Sequence, residues 1–338
     1  MINYKQQNIK KIGDIKVKWR KNVNNGSKLK KKKWQRDDTE LSLLALPTTI
    51  WYLLFSFLPM FGLIIAFKDY KIIPGKNFIY NLIHSDWAGL KNFQFLIKSK
   101  ELYILLRNTI GYNLIFIILG IVIPVTLAIM ISLIYSKRKS KIYQTMIFFP
   151  YFMSWVVVSY FVYAFLSGDK GIFNNVLQTL GKDTVQWYME PKFWPYILIF
   201  IQVWKTMGYS MVVYLASITG IDTTFYEAAV IDGASKWQQV KYITLPSIKT
   251  VVVMMFILNV GKIFYSDFGL FFQITKGIPG SLYNVSSTLD TYIYKAIQSS
   301  APIGMTAAAN FFQSVACCIT ILIANWIVSK IDNESAII

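Results

Sequence analysis

Six long apolar runs, separated by polar and charged segments, leave this chain few ways to fold. They fall near Leu41–Phe67, Thr109–Tyr135, Tyr143–Leu166, Phe193–Ile218, Val251–Phe272 and Ile303–Val328. About 20 apolar residues in helical form cross the roughly 30 Å of hydrocarbon in a bilayer. Backbone groups facing lipid must be paired within their own segment, so each run is expected to be a helix. The fifth run is the weakest, because Lys262 and Asp267 interrupt it. Hydrophobic residues make up 54% of the 338, and they gather in runs rather than alternating along amphipathic elements. That excludes an ordinary soluble domain. The expected fold class is an all-α polytopic membrane protein with six transmembrane helices.

The net charge of +18 orients the chain. Residues 1–36 hold thirteen Lys or Arg, Lys137, Arg138, Lys139 and Lys141 follow the second run, and Lys330 follows the sixth. Lys and Arg close to span ends favour the cytoplasmic side. Both termini and the 219–249 segment are therefore expected inside, with loops 68–108, 167–192 and 273–302 outside. Two regions follow: a basic, disordered cytoplasmic tail over 1–36, and a transmembrane domain over 37–338. Arg36–Glu40 is expected to open a short surface helix. A Lys-rich run such as Lys30–Lys33 attracts phosphate of any origin, but before a first span it reads as a lipid-facing tail, with no nucleic-acid partner. The charged stretch is too long, and the apolar run after it longer than a cleaved signal peptide requires.

Little else carries chemistry. Cys317 and Cys318 are adjacent and read as packing residues within a helix. The one histidine, His84, has no Cys, His or carboxylate cluster around it, so neither a metal site nor a catalytic group is expected. In the first outer loop, Trp87 and Phe93 flank the start of an apolar-periodic stretch, Phe95–Leu106, expected as a helix lying in the interface. Trp51, Tyr52 and Trp326 are expected as interface anchors. Pro47, Pro59, Pro124, Pro150 and Pro195 are expected as tolerated kinks.

The segment between the fourth and fifth runs is the most specific part of the sequence. It reads Glu227-Ala228-Ala229-Val230-Ile231-Asp232-Gly233-Ala234 and continues to Leu245-Pro246. Thr223 or Thr224 can cap a helix starting near Phe225. Gly233 breaks it, Ala234–Tyr242 can form a second helix, and Pro246 ends that one. Two short helices at an angle would form a cytoplasmic knob. Its small residues allow close approach, and Glu227 and Asp232 offer charge to a basic partner.

This E-A-A-x-x-D-G-A pattern resembles the EAA signature of type I ABC importer permeases of the carbohydrate-uptake class, relatives of the maltose and multiple-sugar importers. The resemblance is closest to the LplB-like or YtcP-like polysaccharide branch. It also rests on Trp87–Phe93 (W-x-G-x-x-N-F), Arg107-Asn108-Thr109, Phe264–Phe271, Thr288–Tyr294, Ala324–Lys330 and Glu334-Ser335, and covers about residues 40–338. The long basic tail departs from the family pattern. The resemblance implies that Glu227, Ala228, Ala229, Asp232, Gly233, Ala234, Leu245 and Pro246 couple the chain to a cytoplasmic ATPase. It further implies two such ATPase subunits, a second homologous permease chain, an extracellular sugar-binding protein and a sugar substrate, in the plasma membrane of a bacterium. No G-x-x-x-x-G-K-[ST] loop occurs in the sequence, so no cofactor is expected in this chain, and ATP and Mg belong to the partner.

Polar residues inside spans usually face a cavity or another helix. Tyr209, Asn259, Tyr265, Asn310 and Gln313 are the candidates for the sugar path; Lys205 and Asp267 are further polar residues in the same runs, and Lys262 and Asp267 can pair with each other or with the partner chain. The alternative is an ion-coupled secondary transporter of a small polar solute, which Lys205, Lys262 and Asp267 would suit.

Overall fold

The computed structural model describes residues 36–98, 100–299 and 302–331. The tail over 1–35 and Glu334-Ser335 lie outside them. Helices dominate, and the only strands among the described residues are two dipeptides. Four helical segments are long and apolar enough to span a bilayer: Asp38–Phe67, Glu101–Ser132, Pro191–Thr219 and Ile303–Lys330. Two more spans exist if each of two bent helix pairs is counted as one.

The chain divides into two compact units, one through Gly62 and one from Leu63. The first contains helix α1 (Arg36–Tyr52), with Pro47 inside it, and a widened π turn at Leu53–Phe57. Arg36–Glu40 is the opening of this helix, not a separate surface helix. Its side chains are exposed from Thr39 through Phe61. Apolar side chains gain nothing by leaving lipid for protein, so such a helix needs no cover from its own chain.

The second unit is built around α2 (Lys100–Ser132) and α5 (Trp194–Thr219), with α3 (Lys137–Phe148), α4 (Trp155–Leu166), α6 (Thr223–Ile231), α7 (Lys249–Val260), α8 (Leu289–Gln298) and α9 (Ile303–Ile331) arranged about them. One buried cluster joins Tyr112, Val158, Trp194, Leu198, Ile201, Leu270, Phe271, Ile274 and Leu282. A second, further along α2 and α5, joins Ala128, Ile131, Met211, Tyr214, Leu215, Ile218 and Ile248. Pro195 sits in the first turn of α5, where its missing N–H is harmless, so it starts a helix and kinks none.

Several sequence expectations are corrected. The third run is not one helix. Pro150 tightens the chain into a 3-10 turn at Phe149–Phe152, Ser154 caps α4 by accepting from Val157 N at 3.3 Å, and the two halves meet at 97°. The fifth run starts earlier than expected: Lys236–Ser247 and α7 form a pair bent by 57°, and helix ends at Val260. Lys262 and Asp267 then fall in non-helical chain and do not pair with each other. In the first outer loop, residues from Lys100 onward belong to α2, and the separate helices are Phe78–His84 and Lys91–Lys98. Phe93 is not an interface anchor. Its ring packs on Phe67 and Phe311, at 5.3 and 5.9 Å. Trp87 pairs with Lys68 in a two-stranded antiparallel ribbon and is 65% exposed.

The irregular stretches and single helical turns between α7 and α9, Tyr283–Ser286 among them, would be costly at membrane depth if their carbonyls stayed unpaired. Side chains of α2 and α9 satisfy them. Asn108 donates to Asn284 O at 3.1 Å and to Ser287 O at 2.9 Å, and Arg107 also reaches Asn284 O. Tyr112 donates to Val285 O, and Asn113 donates to Ile263 O and Tyr265 O. Gln313 donates to Phe264 O at 2.7 Å and to Asp290, which itself accepts from Ser266 N.

Candidate functional site

The knob after α5 is built by local rules. Asp222, not Thr223 or Thr224, caps α6: its carboxylate accepts from Thr224 N at 2.9 Å, and that bond holds its pKa below the ordinary value. Gly233 stops the helix in the left-handed region, at φ +76. Gly233 N then bonds Val230 O at 3.1 Å and Ala234 N bonds Ala229 O at 2.8 Å, the paired bonds of a Schellman stop. Ser235 opens the next helix, Lys236–Gln239, with a capping box closed by Gln238. The helix passes through a π turn at Val240–Thr244 and continues through Leu245-Pro246 to Ser247. Pro246 therefore does not end it. Proline clashes with the carbonyl four residues back in a regular helix, and the widened turn before Pro246 is where this helix departs from regularity.

The knob is tied to the spans at its base. Tyr226 Oη and Thr244 Oγ1 lie 2.9 Å apart, and Gln239 donates to Ala234 O at 3.1 Å. Gln239, Val240, Thr244 and Ile248 are buried. Glu227, Ala228, Asp232, Gly233, Leu245 and Pro246 are exposed, while Ala229 and Ala234 are half-buried. Sequence reasoning dwelt on the charges and missed the apolar surface beside them. Phe225 is 61% exposed, Val230 57% and Ile231 86%. Apolar residues on a segment outside the spans would have been the signal.

The second place of interest is the break in the third span. The turn leaves Tyr151 O without a helical partner, and Lys205 Nζ of α5 donates to it at 3.0 Å. The same ammonium lies 5.0 Å from the Trp155 ring and 5.6 Å from the Tyr151 ring. Tyr209 stacks on Tyr151 at 4.9 Å. Asp267 Oδ2 accepts from Trp155 Nε1 at 2.9 Å and fixes the indole. Gly269 lies beneath it, where a Cβ would come within 2.0 Å of the ring. Lys205 is only 8% exposed, and among the described residues no carboxylate lies within ion-pair reach of it.

Of the sequence candidates, Tyr209 alone joins this group. Tyr265 is 40% exposed, with its hydroxyl 3.0 Å from Ser314 Oγ. Asn259 and Asn310 are exposed, and the Asn259 amide donates to Met255 O. Gln313 is fully buried and braces Phe264 and Asp290, so its amide supports backbone in this structure. Tyr151 and Trp155 were missed, since an aromatic inside an apolar run looks like packing until the bend at Pro150 is known.

A bundle of apolar helices that carries an exposed knob between two spans and a polar aromatic cluster at a broken span has the features of a membrane transport subunit. Residues 120–333 match the family of binding-protein-dependent transport system inner membrane components, and the chain belongs to that family. It is thus a multi-pass permease subunit of the bacterial cell membrane, not an enzyme, and the ion-coupled alternative falls away. The chain is 31% identical to the polygalacturonan/rhamnogalacturonan transport system permease protein YteP of Bacillus subtilis, over 87% of this chain and 89% of that one. It is 28% identical to protein LplB of the same organism, over 90% and 92%. Among solved structures it is similar to a bacterial ABC transporter involved in the import of the acidic polysaccharide alginate, with a TM-score of 0.77 and 31% identity, covering 88% of this chain and 97% of that one.

Proposed function

We propose that this chain lines one half of the path of an importer for acidic oligosaccharides, and that the α6 knob receives the ATP-driven movement. A second homologous permease completes the path, two cytoplasmic ATPases hold ATP and Mg, and an extracellular binding protein delivers the sugar. The observation that carries the substrate reading is Lys205. An ionisable group inside a span is costly and marks a functional site by default. This one is held by a carbonyl and two aromatic faces, with the Asp267 carboxylate near enough to act on it but beyond ion-pair reach, so a ligand carboxylate would be its direct anionic partner. The rings of Tyr151, Trp155 and Tyr209 offer flat surfaces to sugar C–H groups. Two relatives whose names specify acidic polymers, polygalacturonan and alginate, support the same reading.

The knob suits a coupling role because its two ends are fixed differently. Its tip is exposed and partly apolar, fit for a cleft in a partner. Its base is locked to the fifth span through Tyr226, Thr244 and Gln239. A push on the tip therefore turns the Lys236–Ser247 helix, and the bend before α7 carries the rotation into the membrane.

The test is uptake by the intact importer in membrane vesicles, comparing oligogalacturonates with neutral oligosaccharides of equal length. Preference for the charged series, reduced about tenfold or more in Lys205→Gln, is expected from loss of a charge-assisted hydrogen bond. Equal or better uptake of the neutral series by the wild type would refute the acidic reading.

A further inference from the structure

Between α7 and α8 the backbone makes an excursion that coupling and membrane insertion do not explain. Three consecutive residues are left-handed: Lys276 at φ +56, Gly277 at +86 and Ile278 at +57. Among the described residues Lys276 and Ile278 are the non-glycines with positive φ. A β-branched residue there is a true outlier, and such strain persists only where the surroundings over-determine it. Here they do. Ile278 N donates to Thr275 Oγ1 at 3.2 Å, Gly277 N donates to Phe272 O at 2.8 Å, and Lys295 Nζ donates to Ile278 O at 3.0 Å. Thr275 and Ile278 are both buried.

The turn folds the exposed Lys276 back over α4. Its ammonium lies 4.3 Å from the centroid of Tyr160 and 5.0 Å from that of Tyr163. Those rings are 65% and 45% exposed. Tyr163 rests on Tyr188, whose hydroxyl donates to Ile274 O and whose carbonyl accepts from Ser281. Among the described residues no carboxylate lies within ion-pair reach of Lys276. The make-up repeats that of the inner cluster, a lysine over aromatic faces of the third span. The chain from Asp267 at Trp155 to Lys276 at Tyr160 follows the same helix.

We propose that Lys276, Tyr160 and Tyr163 form an outer subsite of the same path, which takes a carboxylate-bearing unit of the oligosaccharide before it reaches Lys205. The proposal rests on the acidic-sugar reading of the Lys205 cluster. Tyr160, the ring nearer to Lys276, lies five residues beyond Trp155, about 7.5 Å along a helix, and Tyr163 about 12 Å, so the two cations engage different units of one chain. The outer subsite then matters more the longer the substrate. A lysine that merely reaches for lipid headgroups extends along its own flexible stem and needs no strained turn.

The experiment is uptake of oligogalacturonates of two to five units by the full importer, with binding protein and ATPase, in membrane vesicles. Lys276→Gln is expected to lower uptake progressively with length, by about tenfold or more at the longest. Lys276→Arg should restore it, and the double variant Tyr160→Ala/Tyr163→Ala should repeat the length dependence. Normal uptake at every length in Lys276→Gln, with Lys205→Gln defective, would overturn the outer subsite and leave the proposed function standing. An equal loss at all lengths would also overturn it, in favour of an interfacial anchor. If both lysine variants import oligogalacturonates normally, the acidic reading itself fails.

Discussion

Gly233→Ala isolates the shape of the knob from its contacts. At φ +76 this residue sits where an L side chain is disfavoured by about 1–2 kcal/mol. A Cβ built there meets nothing within 4 Å, so no clash adds to that figure. Alanine also restricts the unfolded chain, which returns about 0.4–1 kcal/mol. The net loss is about 1 kcal/mol, roughly fivefold in the population of the Schellman stop. Two readouts follow. Hydrogen exchange at the Gly233 and Ala234 amides, which make the two bonds of the stop, should quicken by about that factor. Sugar transported per ATP hydrolysed by the reconstituted importer should fall as well, since α6 would present its tip at a variable angle. Gly233→Asn, a residue that tolerates the left-handed region, should lose less on both counts. Exchange and coupling in Gly233→Ala indistinguishable from wild type would refute the argument that the turn sets the knob's shape.

Three other outcomes are expected. Ile231→Ala should weaken capture of the partner ATPase, because docking this 86% exposed side chain is worth up to about 1.5–3 kcal/mol; pull-down from solubilised membranes reads it. Asn108→Ala should lower the unfolding midpoint in detergent, since it removes the side-chain donor to Ser287 O and costs about 1–2 kcal/mol. The Asp222 cap is an acid with a depressed pKa, so its contribution is fully present above the ordinary carboxylate value and is lost as pH falls through the lower native value. The protection factor at the start of α6, which is the exchange rate corrected for the intrinsic pH dependence of amide exchange, should thus be steady above the ordinary carboxylate value of about 4 and fall only below it, and Asp222→Asn should remove that acid sensitivity.

The membrane class and the knob were legible because both depend on local rules: run length for the spans, and Gly-x-Ser punctuation for the two short helices. The knob's starting cap was misread by one residue, since Asp and Thr compete for the same role and only geometry chooses. The bent spans were harder. Pro150 was visible, but Pro124 sits inside a long helix that continues through it, so proline alone does not say where a helix breaks. The polar residues of the later spans were legible as polar, not as to duty. Gln313 braces irregular backbone from within a polar network, whereas Lys205 braces the broken turn through Tyr151 O and also lies over aromatic rings of a different span. That division depends on which carbonyls the chain leaves unpaired, a property of the fold and not of spacing. Ile231 was hidden for the opposite reason: an apolar residue in an apolar protein draws no notice until it is found outside the spans and uncovered.

The central claim is that the α6 tip docks on an ATPase. Its most direct test is a photo-crosslinking residue at position 231 in the full chain, activated in the native membrane, with mass spectrometry of what is captured. The account predicts a Walker-motif ATPase joined through this position, and a second EAA-bearing permease in the same complex. Crosslinks to lipid or to the chain's own helices alone, with the ATPase absent, would contradict it.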